Sequence, residues 1–492
     1  MQRTETTASS TKRPGWTFAI TSTALFMTAL DNLVVTTALP TIRRHLHATI
    51  GGLEWTIAAY TLTFAALLLT GSSLGERFGR RRMFLAGLTI FTLGSAAAAL
   101  APGIGALVAA RAMQGIGGAI VTPLTLTLLA NAVAPQRRAL ALGAWGAIGG
   151  LAVASGPLVG GAIVEWASWQ WIFWLNVPIG LVLVPLAYYR LEESRGTARR
   201  LDLPGVALGT AGLFGIVFGL VRSTSLGWSS PEVSGPLVLG VVLMVLFALV
   251  ERQAAEPMLP LRLFRNRAFT ASNIASLLMS FGMFGSIFLL AQFLQIVQGY
   301  SPLRAGLSIL PWTAMPMLIA PVAGIITQRI GGRPVLAVGL GLQSLGLAWL
   351  AVVASPSVPY SHLVPAFVLS GIGMSLFFAP MASTVLGAVG PGEEGIASGV
   401  NNAIREMGGV LGIAVLASVF AATGSYASGQ AFVRGLVPAV AAGAAIVGFA
   451  VVAALSIPRR GRSALETSMS QPELVPVDLA EDERAGALVP IA

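Results

Sequence analysis

The sequence predicts an all-α membrane protein with fourteen transmembrane helices. Hydrophobic residues make up 55% of the chain and charged residues only 10%, and the mean hydropathy is +0.79. A soluble domain carries about 25% charged residues, so folding in water is excluded. Fourteen apolar runs are each long enough to cross about 30 Å of hydrocarbon. Arginines in the connections favour one side of the membrane, as expected where positive charge sets topology.

The apolar runs follow one another with short connections. Their cores cover residues 17–39, 53–73, 83–101, 105–130, 139–163, 171–189, 203–221, 236–250, 270–297, 305–326, 334–354, 362–388, 397–421 and 433–456. Many are rich in Gly and Ala, which permits close packing of membrane helices. Pro311, Pro316 and Pro321 are expected to bend the tenth span, because proline removes a backbone donor.

Arginine placement orients these spans. If the N-terminus is cytoplasmic, the outer loops hold only Arg43, Arg44, Arg222, Arg304 and Arg434, and the other loop arginines lie inside. This bias predicts a multi-pass protein of the cytoplasmic membrane with both termini in the cytoplasm. Residues 1–15 are expected to form a polar N-terminal tail. Residues 459–492, which include three consecutive acidic residues, are expected to form a disordered C-terminal tail.

Residue types that the chain lacks exclude several function classes. There is no cysteine, and Lys12 is the only lysine. Disulfides, thiolate metal sites and a GxxxxGK[ST] phosphate loop are therefore excluded. No Ser–His–Asp or metal-binding pattern is visible, so we expect neither an enzyme nor a cofactor. The net charge of +10 belongs to short loops between spans, so we expect contact with membrane lipid and none with nucleic acid.

The chain also repeats itself at long range. LVAARAMQGIG (107–117) is similar to LVPAFVLSGIG (363–373), and ERFGRRRMFLAG (76–87) is similar to QRIGGRPVLAVG (328–339). Both matches occur in the same order and at corresponding topological positions. They predict a six-helix bundle over 16–191, a two-helix insert with linkers over 192–268, and a second six-helix bundle over 269–458. Repeated halves with a site at their interface are a transporter architecture.

Five motifs occur in order along the chain. They are LDNLVVTTALP (30–40), SSLGERFGRRR (72–82), RAMQGIGGA (111–119), ASGPLVGG (154–161) and WQWIFWLNVPIG (169–180). With these motifs the chain resembles the major facilitator superfamily, and within it the fourteen-span drug:proton antiporters. Two departures stand in the second motif, where Ser72 replaces a usual glycine and Glu76 a usual aspartate.

This resemblance implies proton-coupled export of amphipathic drugs or antibiotics by alternating access, with a small molecule and protons as partners and a monomeric carrier. Transport of a natural metabolite is an alternative, and a non-transporting membrane receptor is a second one from a different class.

Three charged residues inside spans are candidates for proton coupling. An acidic residue at membrane depth costs about 2.5–3.5 kcal/mol on insertion scales, so Asp31 is interpreted as functional. At about 1.5 Å per residue, Arg111 reaches a depth at which it could pair with Asp31, and protonation would break the pair. Glu406, preceded by Arg405, could bind protons or a cationic substrate. A static ion pair is the alternative for Asp31, and an internal pair or a cavity wall is the alternative for Glu406.

Two glycine-rich motifs are expected to serve conformational change. In the predicted gating loop, Gly71 and Gly79 permit a tight turn, while Glu76, Arg77 and Arg80 could latch one end of a moving bundle. The arginines could also serve topology alone. In the antiporter motif Gly156, Pro157, Gly160 and Gly161, proline bends the span and the glycines allow close approach to a helix of the other half.

Polar and aromatic residues within spans could line a substrate cavity, because aromatic side chains give bulky ligands large contact areas. The candidates are Asn32, Gln114, Phe284, Phe288, Gln292, Trp312, Phe377, Asn401 and Asn402. Facing the lipid or packing between helices is the alternative for each aromatic residue. Glu54 and Glu165 lie nearer the outer surface and are interpreted as interfacial.

Overall fold

The computed structural model describes residues 14–195, 202–254, 257, 259–390 and 393–458, and within these ranges it contains helices and no strand. The predicted all-α fold is therefore confirmed. The two predicted tails lie outside the described residues, except for Pro14 and Gly15, which begin the first helix.

The helices are numbered in chain order. They are α1 Pro14–Leu46, α2 Ile50–Phe78, α3 Arg80–Ala99, α4 Ile104–Ala132, α5 Pro135–Trp166, α6 Trp171–Trp174, α7 Asn176–Arg190, α8 Leu203–Leu226, α9 Pro231–Gln253, α10 Arg267–Gln292, α11 Pro302–Thr313, α12 Met315–Ile330, α13 Gly332–Val353, α14 Tyr360–Leu386, α15 Glu394–Thr423 and α16 Gly429–Leu455. A 3₁₀ turn, Leu261–Arg265, precedes α10, and a π turn, Phe293–Val297, extends it.

Thirteen spans in the described part of the chain are long and apolar enough to cross a membrane. The predicted tenth span, 305–326, is instead two shorter helices, α11 and α12, which meet at Ala314. Pro311 and Pro316 flank this break. Neither proline can donate the backbone hydrogen bond that a continuous helix needs, so the helix is interrupted here. The count of fourteen spanning helices is therefore not confirmed, although the proline-induced interruption occurs where the sequence predicts a bend.

Local signals define several helix ends. Thr49 accepts a hydrogen bond from the backbone of Gly52 at the start of α2, and Asn266 and Ser428 cap α10 and α16 in the same way. Side-chain oxygens at these positions satisfy N–H groups that have no partner within the helix. Gly79 separates α2 from α3 with a φ of +108°, a conformation that favours glycine.

Helices contact one another in two groups and an attached pair. In the first group α1 packs against α5, and α4 packs against α2 and α3; in the second, α10 packs against α15 and α16, and α13 against α14 and α16. Helices α8 and α9 pack on each other, and α8 also contacts α2 and α15. Helix α2 contacts α15, and α5 contacts α11, so the two groups touch along these pairs.

Polar contacts between the two groups lie at the end of the molecule where α1 finishes, called the distal end below. Gln295 donates to the carbonyl of Thr37 at 2.8 Å, and the amide of Leu303 donates to Glu165 at 2.9 Å. The guanidinium of Arg43 lies 3.6 Å from the ring centre of Tyr426. We call this set of contacts the distal seal.

Candidate proton and substrate site

Asp31 lies in the middle of α1 and accepts hydrogen bonds from three side chains. Arg111 of α4 donates through Nη1 to Oδ2 in a buried ion pair. Gln114 of α4 donates to Oδ1 at 3.1 Å, and Asn176, the first residue of α7, donates to the same oxygen at 2.8 Å. The carboxylate is 1% exposed. Three donors on one buried carboxylate compensate for the hydration that the group loses.

Arg111 is fully buried and is held from several sides. Its Nε donates to the carbonyl of Thr56 at 3.1 Å, and its Nη1 also donates to Gln114 at 2.9 Å. The guanidinium stands 4.4 Å from the ring centre of Tyr60 and 5.8 Å from that of Phe173. Its Nη2 has no hydrogen-bond partner among the described residues. The cation is thus oriented by an anion, two carbonyl-type oxygens and two aromatic faces.

Glycines bring the surrounding helices close enough for these bonds. A β-carbon at Gly94 of α3 would lie 2.9 Å from the backbone nitrogen of Gln114, and one at Gly115 of α4 would overlap the carbonyl oxygen of Tyr60. Because helices α2, α3 and α4 touch at backbone distance, Gln114 reaches both Asp31 and Ser95, to which it donates at 2.7 Å.

Such an arrangement is stable only while both charges are present. Breaking a buried ion pair by removing one partner destabilises a protein by about 3–5 kcal/mol, since the remaining charge is left without compensation. Protonation of Asp31 would remove the anion and leave Arg111 in this position. The bonds within the cluster therefore depend on the charge of Asp31.

Glu406 lies in α15 and has a different environment. Its Oε1 lies 3.2 Å from Nη2 of the adjacent Arg405, and the side chains are 9% and 27% exposed. Arg405 also lies 5.5 Å from the ring centre of Phe378. This ion pair joins two residues that are adjacent in the sequence, and the arginine side chain remains partly exposed.

Tyr60 of α2 packs against the Asp31 cluster. Its hydroxyl donates to the carbonyl of Thr28 at 3.3 Å, and its ring stands beneath Arg111.

The predicted gating loop is only partly a loop. Residues 71–78 belong to α2, and the turn is confined to Gly79. Gly71 packs against the backbone of Ala119 in α4, so it serves helix contact, which corrects its expected role in turning the chain. Glu76 forms an ion pair with Arg80 at 2.7 Å. Arg77 is exposed and lies 5.4 Å from the ring centre of Phe78.

The turn at Gly79 is fastened by a residue that the sequence did not indicate. Glu193, after α7, accepts hydrogen bonds from the backbone amides of Arg81 and Arg82 at 3.1 and 3.2 Å. These amides are at the start of α3, where helix N–H groups lack partners and favour a negative charge. Ser194 accepts from the amide of Arg80 at 2.9 Å. These hydrogen bonds therefore join the start of α3 to the segment after α7.

The four antiporter-motif residues divide between two neighbours. A β-carbon at Gly156 or Gly160 would lie 2.6 Å from Leu33 or 2.8 Å from Val34, both in α1. A β-carbon at Gly161 would overlap the carbonyl of Pro302 in α11, and the carbonyl of Pro157 faces Gly306. Only Gly161 and Pro157 therefore contact the other group of helices, whereas the sequence predicted such a contact for the glycines as a set.

The nine candidate cavity residues are not brought together in one cavity. Gln114 belongs to the Asp31 cluster, and Asn401 donates to Asn273 and Ser276 between α15 and α10. Gln292 is buried and accepts from Tyr426 at 2.5 Å. The side chains of Phe288, Trp312 and Phe377 are fully buried among other helices, and Phe284 packs against Gly409. Asn402 is half-buried, and the side chain of Asn32 lies outside the described residues.

Two cavities in the described part of the chain lie elsewhere. One, of about 350 Å³, is bordered by α2, α8, α9, α10 and α15 and is almost wholly apolar. The other, of about 800 Å³, opens at the distal end beside Arg43, Arg44 and Tyr300. In this conformation Phe288, Trp312 and Phe377 pack between helices and line neither cavity.

Glu54 is buried within the protein, which the interpretation from the sequence did not anticipate. It lies in the first turns of α2 and is 0% exposed, and neither carboxylate oxygen has a hydrogen-bond partner among the described residues. Glu165, by contrast, is exposed at the distal seal.

Sequence reasoning also missed Asn176. It is the only amide or charged residue between Gln170 and Arg190, and that isolation in an apolar run was the available signal. Glu193 gave no such signal, because it lies in a polar stretch.

Comparison with known proteins agrees with this geometry. The sequence profile described as Major Facilitator Superfamily matches residues 21–413. The chain is 36% identical over 408 residues to the multidrug resistance protein Stp of Mycobacterium tuberculosis, covering 82% of this chain and 76% of that protein. It is 35% identical over 451 residues to the puromycin resistance protein pur8 of Streptomyces alboniger, covering 90% and 89%.

Among solved structures, the fold is similar to a POT family transporter in complex with 5-aminolevulinic acid. The TM-score is 0.66 at 15% sequence identity, and the match covers 90% of this chain and 96% of that one. At this identity the likeness concerns the fold alone.

Proposed function

The chain belongs to the Major Facilitator Superfamily, and from this membership we propose that it exports amphipathic drugs or antibiotics across the cell membrane in exchange for protons. It is a multi-pass membrane protein and not an enzyme. Its relatives Stp and pur8 carry names that refer to multidrug and puromycin resistance, and they support export of a small molecule of this class.

The observation that carries proton coupling is the buried cluster of Asp31, Arg111, Gln114 and Asn176. Its net charge changes by one when Asp31 binds a proton, and α1, α4 and α7 all contribute to it. With the termini in the cytoplasm, the distal end faces outward, and the closed distal seal corresponds to a carrier that is shut towards the outside. Alternating access then requires that the seal opens when substrate is released.

Dye efflux from proteoliposomes tests this proposal. Vesicles containing the protein are loaded with ethidium, a pH gradient is imposed, and efflux is followed by fluorescence. Efflux should rise with the gradient and fall when an ionophore removes it. Asp31→Asn keeps the size of the side chain but removes the titrating group, so efflux should no longer respond to the gradient.

The matched control is Glu232→Gln, the same change at an exposed residue of α9 that pairs at 3.8 Å with Arg222. Exposed pairs of this kind contribute about 0–1 kcal/mol, so this variant should keep gradient-driven efflux. Efflux that ignores the gradient in the unaltered protein would overturn the antiport mechanism, and full coupling in Asp31→Asn would remove Asp31 from it.

A further inference from the structure

Glu54 is a buried carboxylate that the mechanism above does not use. It is 0% exposed, and no protein donor reaches either of its oxygens within the described residues. An ionised carboxylate is far too costly to bury without donors, whereas a neutral carboxylic acid loses much less on burial. The neutral, protonated form of Glu54 fits this environment, and the ionised form does not.

The position of Glu54 places it between the two groups of helices. Ala58, one turn along the same face of α2, belongs to a buried cluster with Val410 and Ala414 of α15. Helix α2 packs against α15 along this face. Glu54, in the first turns of α2, therefore lies at the distal end of the contact between the two groups.

Other charged groups on the elements packed against α2 have partners of their own or lie elsewhere. Arg111 of α4 is paired with Asp31, Arg222 of α8 with Glu232, and Arg405 with Glu406 in α15. The basic residues of α3 lie at the opposite end of that helix. Arg43 of α1 stacks on Tyr426 at the distal end.

We propose that Glu54 is a proton-operated lock on the distal seal. With a proton bound, it can be buried, and the distal ends of the two groups close. When the ends separate, water reaches the carboxyl, the proton leaves to the outside, and closure is blocked until a proton returns. This proposal rests on the alternating access proposed above, but it differs from coupling at Asp31, because the proton at Glu54 returns to the side from which it came.

Distance measurement between two spin labels tests the lock. The chain has no natural cysteine, so Ala106→Cys and Ser357→Cys, both exposed at the distal end of opposite groups, provide unique labelling sites. Double electron–electron resonance is recorded in lipid nanodiscs from pH 5 to 8 without substrate. The ratio of closed to open distances should increase as the pH falls, by up to about tenfold per pH unit for one linked proton.

Two variants identify the group responsible. Glu54→Gln cannot ionise and should give the short distance at every pH, whereas Glu54→Asp keeps an acid and should keep the pH response. The control Glu232→Gln should behave as the unaltered protein. A pH response that survives in Glu54→Gln would overturn the proposal and assign the response to other groups, such as the exposed His45, His47 and His362.

The efflux assay separates this failure from failure of the proposed function. If only the lock is wrong, Glu54→Gln keeps its pH-dependent distances while efflux in the unaltered protein still follows the gradient. If antiport is wrong, efflux ignores the gradient, whatever the labels report.

Discussion

Asp31 and Glu406 are both acidic residues within membrane-spanning helices, but their surroundings differ in kind. Asp31 is enclosed by donors from α4 and α7, and its arginine is fully buried. Glu406 pairs with the residue beside it, and that arginine is 27% exposed. An enclosed pair cannot be reached by a cation from outside the protein in this conformation. A partly open pair can exchange its arginine for a cation that arrives from outside the protein.

The sequence left open whether Glu406 binds protons, as Asp31 is expected to do, or binds a cationic substrate. We infer that Asp31 serves proton coupling and that Glu406 serves recognition of positively charged substrates.

The largest expected effect is that of removing the enclosed arginine. Arg111→Gln leaves Asp31 buried without a cation, which should lower the free energy of unfolding by about 3–5 kcal/mol and abolish gradient-driven efflux. Thermal unfolding in detergent and the efflux assay measure these effects. Arg405→Gln is the same change in the partly open pair and should lower the free energy of unfolding by less than Arg111→Gln does, because the Arg405 side chain is 27% exposed and Arg111 is fully buried.

Equal destabilisation by the two arginine variants would contradict the contrast between the sites. The double variant Asp31→Asn with Arg111→Gln is a further test of this contrast. Removing both charges should restore most of the stability that Arg111→Gln loses, because no unpaired charge remains, but it should not restore coupling.

Asn176→Ala should have the next largest effect, since it removes one of the three donors to Asp31. A hydrogen bond to a charged group contributes about 1.5–3 kcal/mol, so gradient-driven efflux should fall by at least about tenfold. Efflux at a series of imposed gradients measures this change. Unaltered efflux would mean that Arg111 and Gln114 suffice to hold the carboxylate.

Glu406→Gln should change selectivity more than rate. Efflux of a cationic dye should fall by about tenfold, which corresponds to about 1.4 kcal/mol, while a neutral substrate should be affected by less than about twofold. Parallel assays with the two substrates measure the ratio. An equal loss for both would assign Glu406 to proton coupling and end the proposed division of tasks.

Tyr426→Phe should have the smallest effect. Burial raises the pKa of this phenol above its ordinary value, while the nearby Arg43 opposes the shift. Because the raised value applies to the folded state, any stabilisation linked to this proton is complete below about pH 10 and is lost as the pH rises further. Between pH 5 and 8 the variant should therefore lose only the hydrogen bond to Gln292, about 1 kcal/mol, and should keep the pH response of the distal seal.

A changed pH response in Tyr426→Phe would locate that response at the aromatic pair rather than at Glu54. Label distances in this variant, measured over the same pH range as for Glu54→Gln, supply the test.

Much of the fold could be predicted from the sequence, because membrane helices satisfy their own backbone hydrogen bonds and need only length and apolarity. Thirteen of the predicted spans correspond to apolar stretches that can cross a membrane, and the exception is broken between Pro311 and Pro316. The meeting of Asp31 with Arg111 could also be anticipated, since two opposite charges in an apolar medium have few other partners.

The rest of the site depended on which residues face each other across helices. Asn176 is near Asp31 only because α7 begins at that depth, and Glu193 reaches the start of α3 only because of the path after α7. An aromatic residue such as Phe288 or Trp312 looks the same in the sequence whether it packs between helices or lines a cavity. The sequence could therefore not distinguish packing from a role in a cavity. Their complete burial shows packing in this conformation.

The sequence by itself determined the membrane class, the apolar spans and the unusual charges within them, since the price of placing a charge in hydrocarbon depends on the residue and its depth. The tertiary structure decided what each charge meets. It surrounds Asp31 with three donors and leaves Arg405 beside Glu406 partly open. It buries Glu54 with no donor from the described residues. The reason is that burial and hydrogen bonding depend on distances between helices that are far apart in the chain, and no local pattern encodes those distances.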